Sequence, residues 1–312
     1  MVYFFAIMDH SYQLRFSHAS FEWAACGAYD LRECVAYDNF NGTIKVCNIY
    51  TGEIIHTLTG HQNMISSLTF SLNGTMIASS SSDGTARLWN LTTGKCKEFV
   101  NDDGCRSVAI NSDNNIIAIG QLNGTIQLLN VETGQNIHTL IGHTDRVLTL
   151  KFSLDNSKII SGSEDGTMRL WNVKTGELLH YMVGHTGGVT CAIFNSQSSR
   201  IVTGCKDKIL RIWSVTTGEL IQKITGHRGS ISAVSFDTND MRIVSSDIYG
   251  SIHLWNSNTG ELIQKMFMNN RVLFAVVDAD NFIIACDKSG TIIVWGPPVG
   301  SRTKPALHDT LQ

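Results

Sequence analysis

Between residues 143 and 185 the apolar positions fall into short runs divided by polar turns. "VLTLKFS" (147–153), "KIISGS" (158–163) and "TMRLWNV" (167–173) are separated by "LDNS" and "EDG". After "KTGE" a fourth run, "LLHYMVGH", ends at His185. Runs of this length, rich in β-branched residues and bounded by turn formers, are strands. Asp165-Gly166 between two of them favours a tight hairpin, because the turn needs a positive φ that these residues tolerate. Helical periodicity is nowhere sustained, so the stretch predicts four short antiparallel strands.

The same pattern returns along the chain. "SSDGTARLWN" (81–90), "SEDGTMRLWN" (163–172), "CKDKILRIWS" (205–214) and "IYGSIHLWNS" (248–257) are close variants, and "FNGTIKVCNI", "LNGTIQLLNV" and "KSGTIIVWGP" are weaker ones. The aromatic column reads Cys47, Trp89, Leu129, Trp171, Trp213, Trp255 and Trp295, in steps of 40 or 42 residues. A Thr-Gly pair marks the next turn in six units (Thr51, Thr93, Thr133, Thr175, Thr217, Thr259), and proline is nearly absent before Pro297. A four-stranded sheet with two apolar faces is not stable alone, whereas sheets stacked radially into a ring bury both. The period and the "GH" and "LWN" columns resemble the WD40 repeat family. That resemblance implies an all-β fold: a single seven-bladed β-propeller of four-stranded antiparallel blades, with the ring closed by the N-terminal strand.

In that family a loop His, a Ser or Thr on the second strand, a turn Asp and the third-strand Trp form a hydrogen-bonded chain. Counting from the His, offsets of 18, 22 and 28 residues relate His61, Ser79, Asp83 and Trp89. The same offsets relate His143, Ser161, Asp165 and Trp171, and again His185, Thr203, Asp207 and Trp213. Repetition at equal spacing makes these His-Ser-Asp sets a structural network rather than a nucleophilic site. His227, Ser245 and Trp255 keep register, but Tyr249 stands in the Asp place. The third unit has Asn123, Ile119 and Leu129, and the last has Trp295 without "GH". These departing units are expected to rely more on apolar packing.

Pro297 and Pro298 stop strand pairing, so the last blade lacks an outer strand. "SYQLRFSH" (11–18) resembles the outer strand "LIQKITGH" and is expected to complete that blade. The reading gives an N-terminal extension over 1–10, the propeller over 11–298 and a flexible tail over 299–312.

Composition changes this picture little. Of 312 residues 43% are hydrophobic and 16% charged, with a net charge of −3 and no long run of either sign. Nucleic acid and anionic membranes are therefore not expected partners. Eight cysteines are scattered without a C-x-x-C pair, so no metal is expected and buried thiols in a reducing compartment are. The apolar start, Val2 to Met8, has neither a basic flank nor a cleavage site, and no run approaches a membrane span. An intracellular protein, cytoplasmic or nuclear, is expected. His56, His138 and His180 recur on outer strands and read as strand-face residues.

Phosphate-binding glycine loops and H-E-x-x-H are absent, and no cofactor or obligate small molecule is implied. Function is expected on loops of one rim, where many family members bind peptides. The variable columns there are the residue before the Asp (Ser82, Glu164, Lys206) and the residue three after the His (Met64, Arg146, Gly188, Ser230), with Arg106, Asp145 and Arg228 nearby. Their mixed charge suits a polar or acidic peptide. The expected function is a non-catalytic scaffold or adaptor for other proteins or peptides within a multiprotein complex. A ubiquitin-ligase substrate-recognition subunit and a transcription or chromatin subunit are alternatives, although Trp-Asp-x-Arg is missing. A propeller enzyme would need ionisable residues converging in the channel, where the innermost strands offer mainly apolar and small hydroxyl residues.

Overall fold

The computed structural model describes residues 13–18, 27–29, 34–39, 41–49, 51–100, 103–278 and 281–296. The expected extension over 1–10 and tail over 299–312 lie outside them. The described strands form seven four-stranded sheets, every paired neighbour antiparallel. Blade 4 comprises Val147–Phe152, Lys158–Ser163, Met168–Asn172 and Leu178–Met182 from the innermost strand outward. Blades 1, 2 and 3 begin at Gly27–Tyr29, Ile65–Phe70 and Cys105–Ile110. Blades 5 and 6 begin at Val189–Phe194 and Ile231–Phe236. Blade 7 takes three strands from Val272–Val277 to Ile292–Gly296, and Gln13–His18 pairs antiparallel with the last of these.

Each blade is tied locally by its turns. Gly166, at φ 79°, supplies the conformation that the Asp-Gly hairpin requires. The glycine of "GH" has a different task. A Cβ on Gly226 would lie 2.9 Å from Cη2 of Trp255, so the loop reaches the indole only because that position is bare.

Apolar side chains fill the space between blades rather than a single centre. Leu170 and Met182 of blade 4 meet Val189, Ile201 and Trp213 of blade 5 in one buried cluster. Val35 and Tyr37 of blade 1 meet Phe274, Ile284 and Val294 of blade 7 in another. Burial of this kind stabilises by roughly 25 cal/mol per Å² of apolar surface.

A second, polar device runs around the outside. His138 on the outer strand of blade 3 donates from Nε2 to the Lys174 carbonyl in the turn of blade 4, at 2.9 Å. His180 does the same to Thr216 of blade 5 at 3.1 Å, and Gln222 to Thr259 of blade 6 at 2.8 Å. Lys97 of blade 2 reaches the Val131 carbonyl of blade 3 at 2.7 Å. The outer-strand histidines thus clasp neighbouring blades, a role that a strand-face reading does not contain. Each such bond contributes about 1 kcal/mol. We expect His138→Ala and His180→Ala each to lower unfolding free energy by about that much, and additively, because they lie on different blades. Urea unfolding of the two single variants and the double variant checks this.

Candidate functional site

The recurrent polar side chains meet as their spacing implies. In blade 2, His61 Nδ1 lies 2.9 Å from Asp83 Oδ2 and its Nε2 2.7 Å from Ser79 Oγ. The Trp89 indole donates to the same Oγ at 2.9 Å. Blade 4 repeats this with His143–Asp165 at 3.0 Å, His143–Ser161 at 2.8 Å and Trp171–Ser161 at 2.9 Å. The imidazole Nδ1–H donates to the carboxylate, and the Ser hydroxyl donates to Nε2 while accepting from the indole. The Asp carboxylate also accepts from the loop backbone, Gln62 N at 2.9 Å and Thr144 N at 3.0 Å, so the network pins the rim loop to the blade. Thr85 and Thr167 are further members, donating to Asp83 and Asp165 at 2.7 and 2.6 Å. The recurring "DGT" was the available signal for them.

Blade 5 is wired differently. Ile209 takes the Thr place, and Arg211 Nη1 lies 2.5 Å from His185 Nδ1 and 2.7 Å from Asp207 Oδ2. A guanidinium only donates, so Nδ1 of His185 accepts and its proton sits on Nε2, directed at Thr203 Oγ1 at 2.7 Å. Trp213 donates to the same hydroxyl at 3.0 Å. His185, Cys205 and Asp207 converge closely enough to hold a metal ion. The set does not fit one: the Arg211 guanidinium already neutralises the carboxylate, and burial pushes the Cys205 thiol up to about 12.

Blade 6 corrects the expectation for a unit with Tyr249 in the Asp place. Asp247, two residues earlier, puts Oδ2 3.1 Å from His227 Nδ1, and His227 Nε2 lies 2.7 Å from Ser245 Oγ. Trp255 donates to Ser245 at 2.7 Å. The strand-end position of Asp247 still reaches the His because the turn folds back over it. Blade 7 also keeps polar wiring: Asn270 from the corresponding loop donates to Ser289 Oγ at 3.2 Å. Neither blade therefore depends on apolar packing alone. Blade 3 does place Leu129 and Ile119 in its core.

Burial followed by the Arg211 charge lowers the His185 pKa to about 4; burial, His227 and Lys265 lower that of His253 to about 3. Burial opposes ionisation of Asp83, yet bonds from Thr85, Gln62 and His61 outweigh it and hold the carboxyl at about 2. Both imidazoles are thus neutral in the fold and protonate more readily in the unfolded chain. Stability from these two is complete above about pH 6.5 and is lost on acidification, by about 3 kcal/mol per imidazole near pH 4. Urea midpoints that fall from neutral pH to about pH 4 are expected; a flat profile would contradict the buried neutral state.

The variable rim columns also meet in pairs. The Ser82 amide donates to the Met64 carbonyl at 2.9 Å, Glu164 to Arg146 at 2.9 Å and Lys206 to Gly188 at 3.0 Å. The Ile248 amide bonds Ser230 likewise at 3.0 Å. Asp145, Arg146 and Arg228 are exposed, and Met64 is 41% exposed. Glu164 and Lys206 form an ion pair linking blades 4 and 5. Arg106 falls at a bulge in the innermost strand of blade 3, which turns it into the channel, where Nη1 donates to the Ser66 carbonyl at 3.0 Å. The channel cavity measures about 440 Å³ and is lined by Ser, Thr and apolar side chains with Arg106, Lys151 and Arg271. No Asp, Glu or His is among the described lining residues.

The family model described as "WD domain, G-beta repeat" matches residues 52–90, 134–172, 176–214 and 218–256, together half of the chain. The chain belongs to the WD40 repeat family. Among curated relatives, rat apoptotic protease-activating factor 1 is 35% identical over 102 residues, 32% of this chain and 8% of the relative. Autophagy-related protein 16 of Arabidopsis thaliana is 25% identical over 127 residues, 40% of this chain and 25% of the relative. COMPASS component SWD3 of Saccharomyces cerevisiae is 25% identical over 111 residues, 35% of each chain. The alignments thus span about a third or less of these relatives' own length. No helix of the described residues is long and apolar enough to cross a membrane.

Proposed function

We propose that the chain is a non-catalytic WD40 scaffold that binds other proteins through its rim loops, within a multiprotein complex and inside the cell. The observation that carries this reading is the saturation of the His-Ser-Asp sets. Ser79, Ser161, Thr203 and Ser245 are fully buried, and each hydroxyl is engaged by both a histidine and an indole. A nucleophile must approach substrate, and none of these hydroxyls has a free face. The channel offers cations and hydroxyls, with no Asp, Glu or His among its described lining residues. What remains accessible is a rigid rim of paired loop residues, the arrangement on which recognition is commonly built. Similarity to a protein named as a COMPASS component supports membership of a complex. The free thiols at Cys47, Cys96, Cys105, Cys191, Cys205 and Cys286 fit a reducing compartment.

Affinity capture with the full chain and with Arg146→Glu tests the reading. Arg146 is exposed and outside every network, so the variant should fold normally and lose part of a fixed partner set. Turnover of a hydrolase or isomerase substrate panel by the purified chain, with no reproducible partner, would overturn it.

A further inference from the structure

Blade 6 differs from blades 2, 4 and 5 at one further column. The middle of the third strand holds Arg87, Arg169 and Arg211, each paired across to the network hydroxyl residue on the second strand. Arg87 forms an ion pair with Glu98 on its outer strand, and Arg169 lies over the Tyr181 ring at 4.7 Å. Arg211 turns into its own network. In blade 6 this column is His253, opposite Ser245. The shorter side chain stacks on His227, ring centroids 4.0 Å apart and 12° from parallel, and leaves the arginine's space open. A cavity of about 460 Å³ remains, bordered by His253, Arg228, Lys265, Tyr249 and Phe267. Tyr249 and Phe267 are 70% and 67% exposed, while His253 is 3% exposed and its Nδ1 has no hydrogen-bond partner.

Charge decides what fits. In blade 2 the residue across from Arg87 is Glu98, so that blade supplies its own carboxylate. In blade 6 the residue across from His253 is Lys265. Asp247, the one carboxylate among the described residues bordering this cavity, is fully buried and already accepts from His227, Gly229 N, Tyr249 N and both donors of Ser251. Among the described residues the cleft therefore presents cations and an unpartnered imidazole nitrogen with no uncommitted carboxylate. A buried donor without a partner is costly, and an incoming acceptor offsets that cost.

We infer that the blade 6 cleft is a docking site for an acidic segment of a partner protein, whose Asp or Glu carboxylate enters toward His253 between Arg228 and Lys265. An apolar neighbour in the same segment packs between Tyr249 and Phe267. Two exposed aromatics flanking a single pocket favour a peptide over a phosphate backbone, which would need a run of cations. This inference rests on the scaffold reading and assigns it a blade and a partner chemistry.

The test is selection of a displayed random-peptide library on the full chain, followed by fluorescence anisotropy with the enriched peptides. Enrichment of Asp or Glu beside an apolar residue is expected. Affinity should fall at least about tenfold with Lys265→Glu, with Phe267→Ser, or when the peptide carboxylates become amides. Both substituted residues are exposed, so the fold is retained. The His253 ring-nitrogen resonances should shift on peptide addition, which a remote site would not produce. Failure to enrich acidic peptides, or binding indifferent to Lys265→Glu, overturns the cleft. Peptides lost with Arg146→Glu but not with Lys265→Glu would overturn it while leaving the rim scaffold intact.

Discussion

Asp247→Ala should lower the unfolding free energy by about 3–5 kcal/mol, among the largest effects of any single polar substitution in the chain. The carboxylate is fully buried and accepts from His227, two further backbone amides and both donors of Ser251. Its removal strands those donors beside a buried position, and a stranded buried donor costs more than the bond it made. Tyr249→Ala is the matched control. That residue occupies the family's Asp position, yet its side chain is 70% exposed, so its loss should cost within about 1 kcal/mol. Urea unfolding of the two variants side by side checks this. Equal losses would mean that Asp247 does not hold the loop.

Trp213→Ala is expected to cost about 3–5 kcal/mol. The indole is almost wholly buried, sits in the cluster joining blades 4 and 5, and donates to Thr203 at 3.0 Å. Its removal therefore opens a void between two blades and frees a hydroxyl that also faces His185. Trp213→Phe separates the two contributions, keeping most of the packing and losing the bond, for about 1–2 kcal/mol. Blade 3 shows that apolar packing can fill the column, since Leu129 stands there in a buried cluster. A Phe variant as damaged as the Ala variant would place the stabilisation in the hydrogen bond instead.

Much of the fold was legible because it is written seven times. A period of 40 or 42 residues, four apolar runs and two turn signals per unit leave few other architectures. The network of blades 2, 4 and 5 was legible for the same reason, since a fixed offset in sequence becomes a fixed position in a repeated blade. What escaped is what depends on reach rather than register. Asp247 lies two residues from the expected place and still meets His227, because the turn brings the strand end and the loop together. Asp287 shares that column in blade 7, and this was the one sequence signal for it. Arg211 enters its network because Ile209 supplies no hydroxyl, a dependence between two columns that reading each column alone does not show. The clasps from His138 and His180, and the pair between Glu164 and Lys206, cross from blade to blade. Those contacts follow from the ring geometry, to which no single repeat refers.

The division of labour between networks that hold the blades and surfaces that bind is tested most directly by one paired measurement on Asp165→Ala. Thermal unfolding and quantitative affinity capture are made on the same preparation, with capture well below the melting temperature. Asp165 accepts from His143, Thr144 N and Thr167, so Tm should fall by several degrees while the captured partners and their proportions stay those of the wild type. An unchanged Tm with lost partners would contradict that division and place the His-Ser-Asp sets in the binding surface itself.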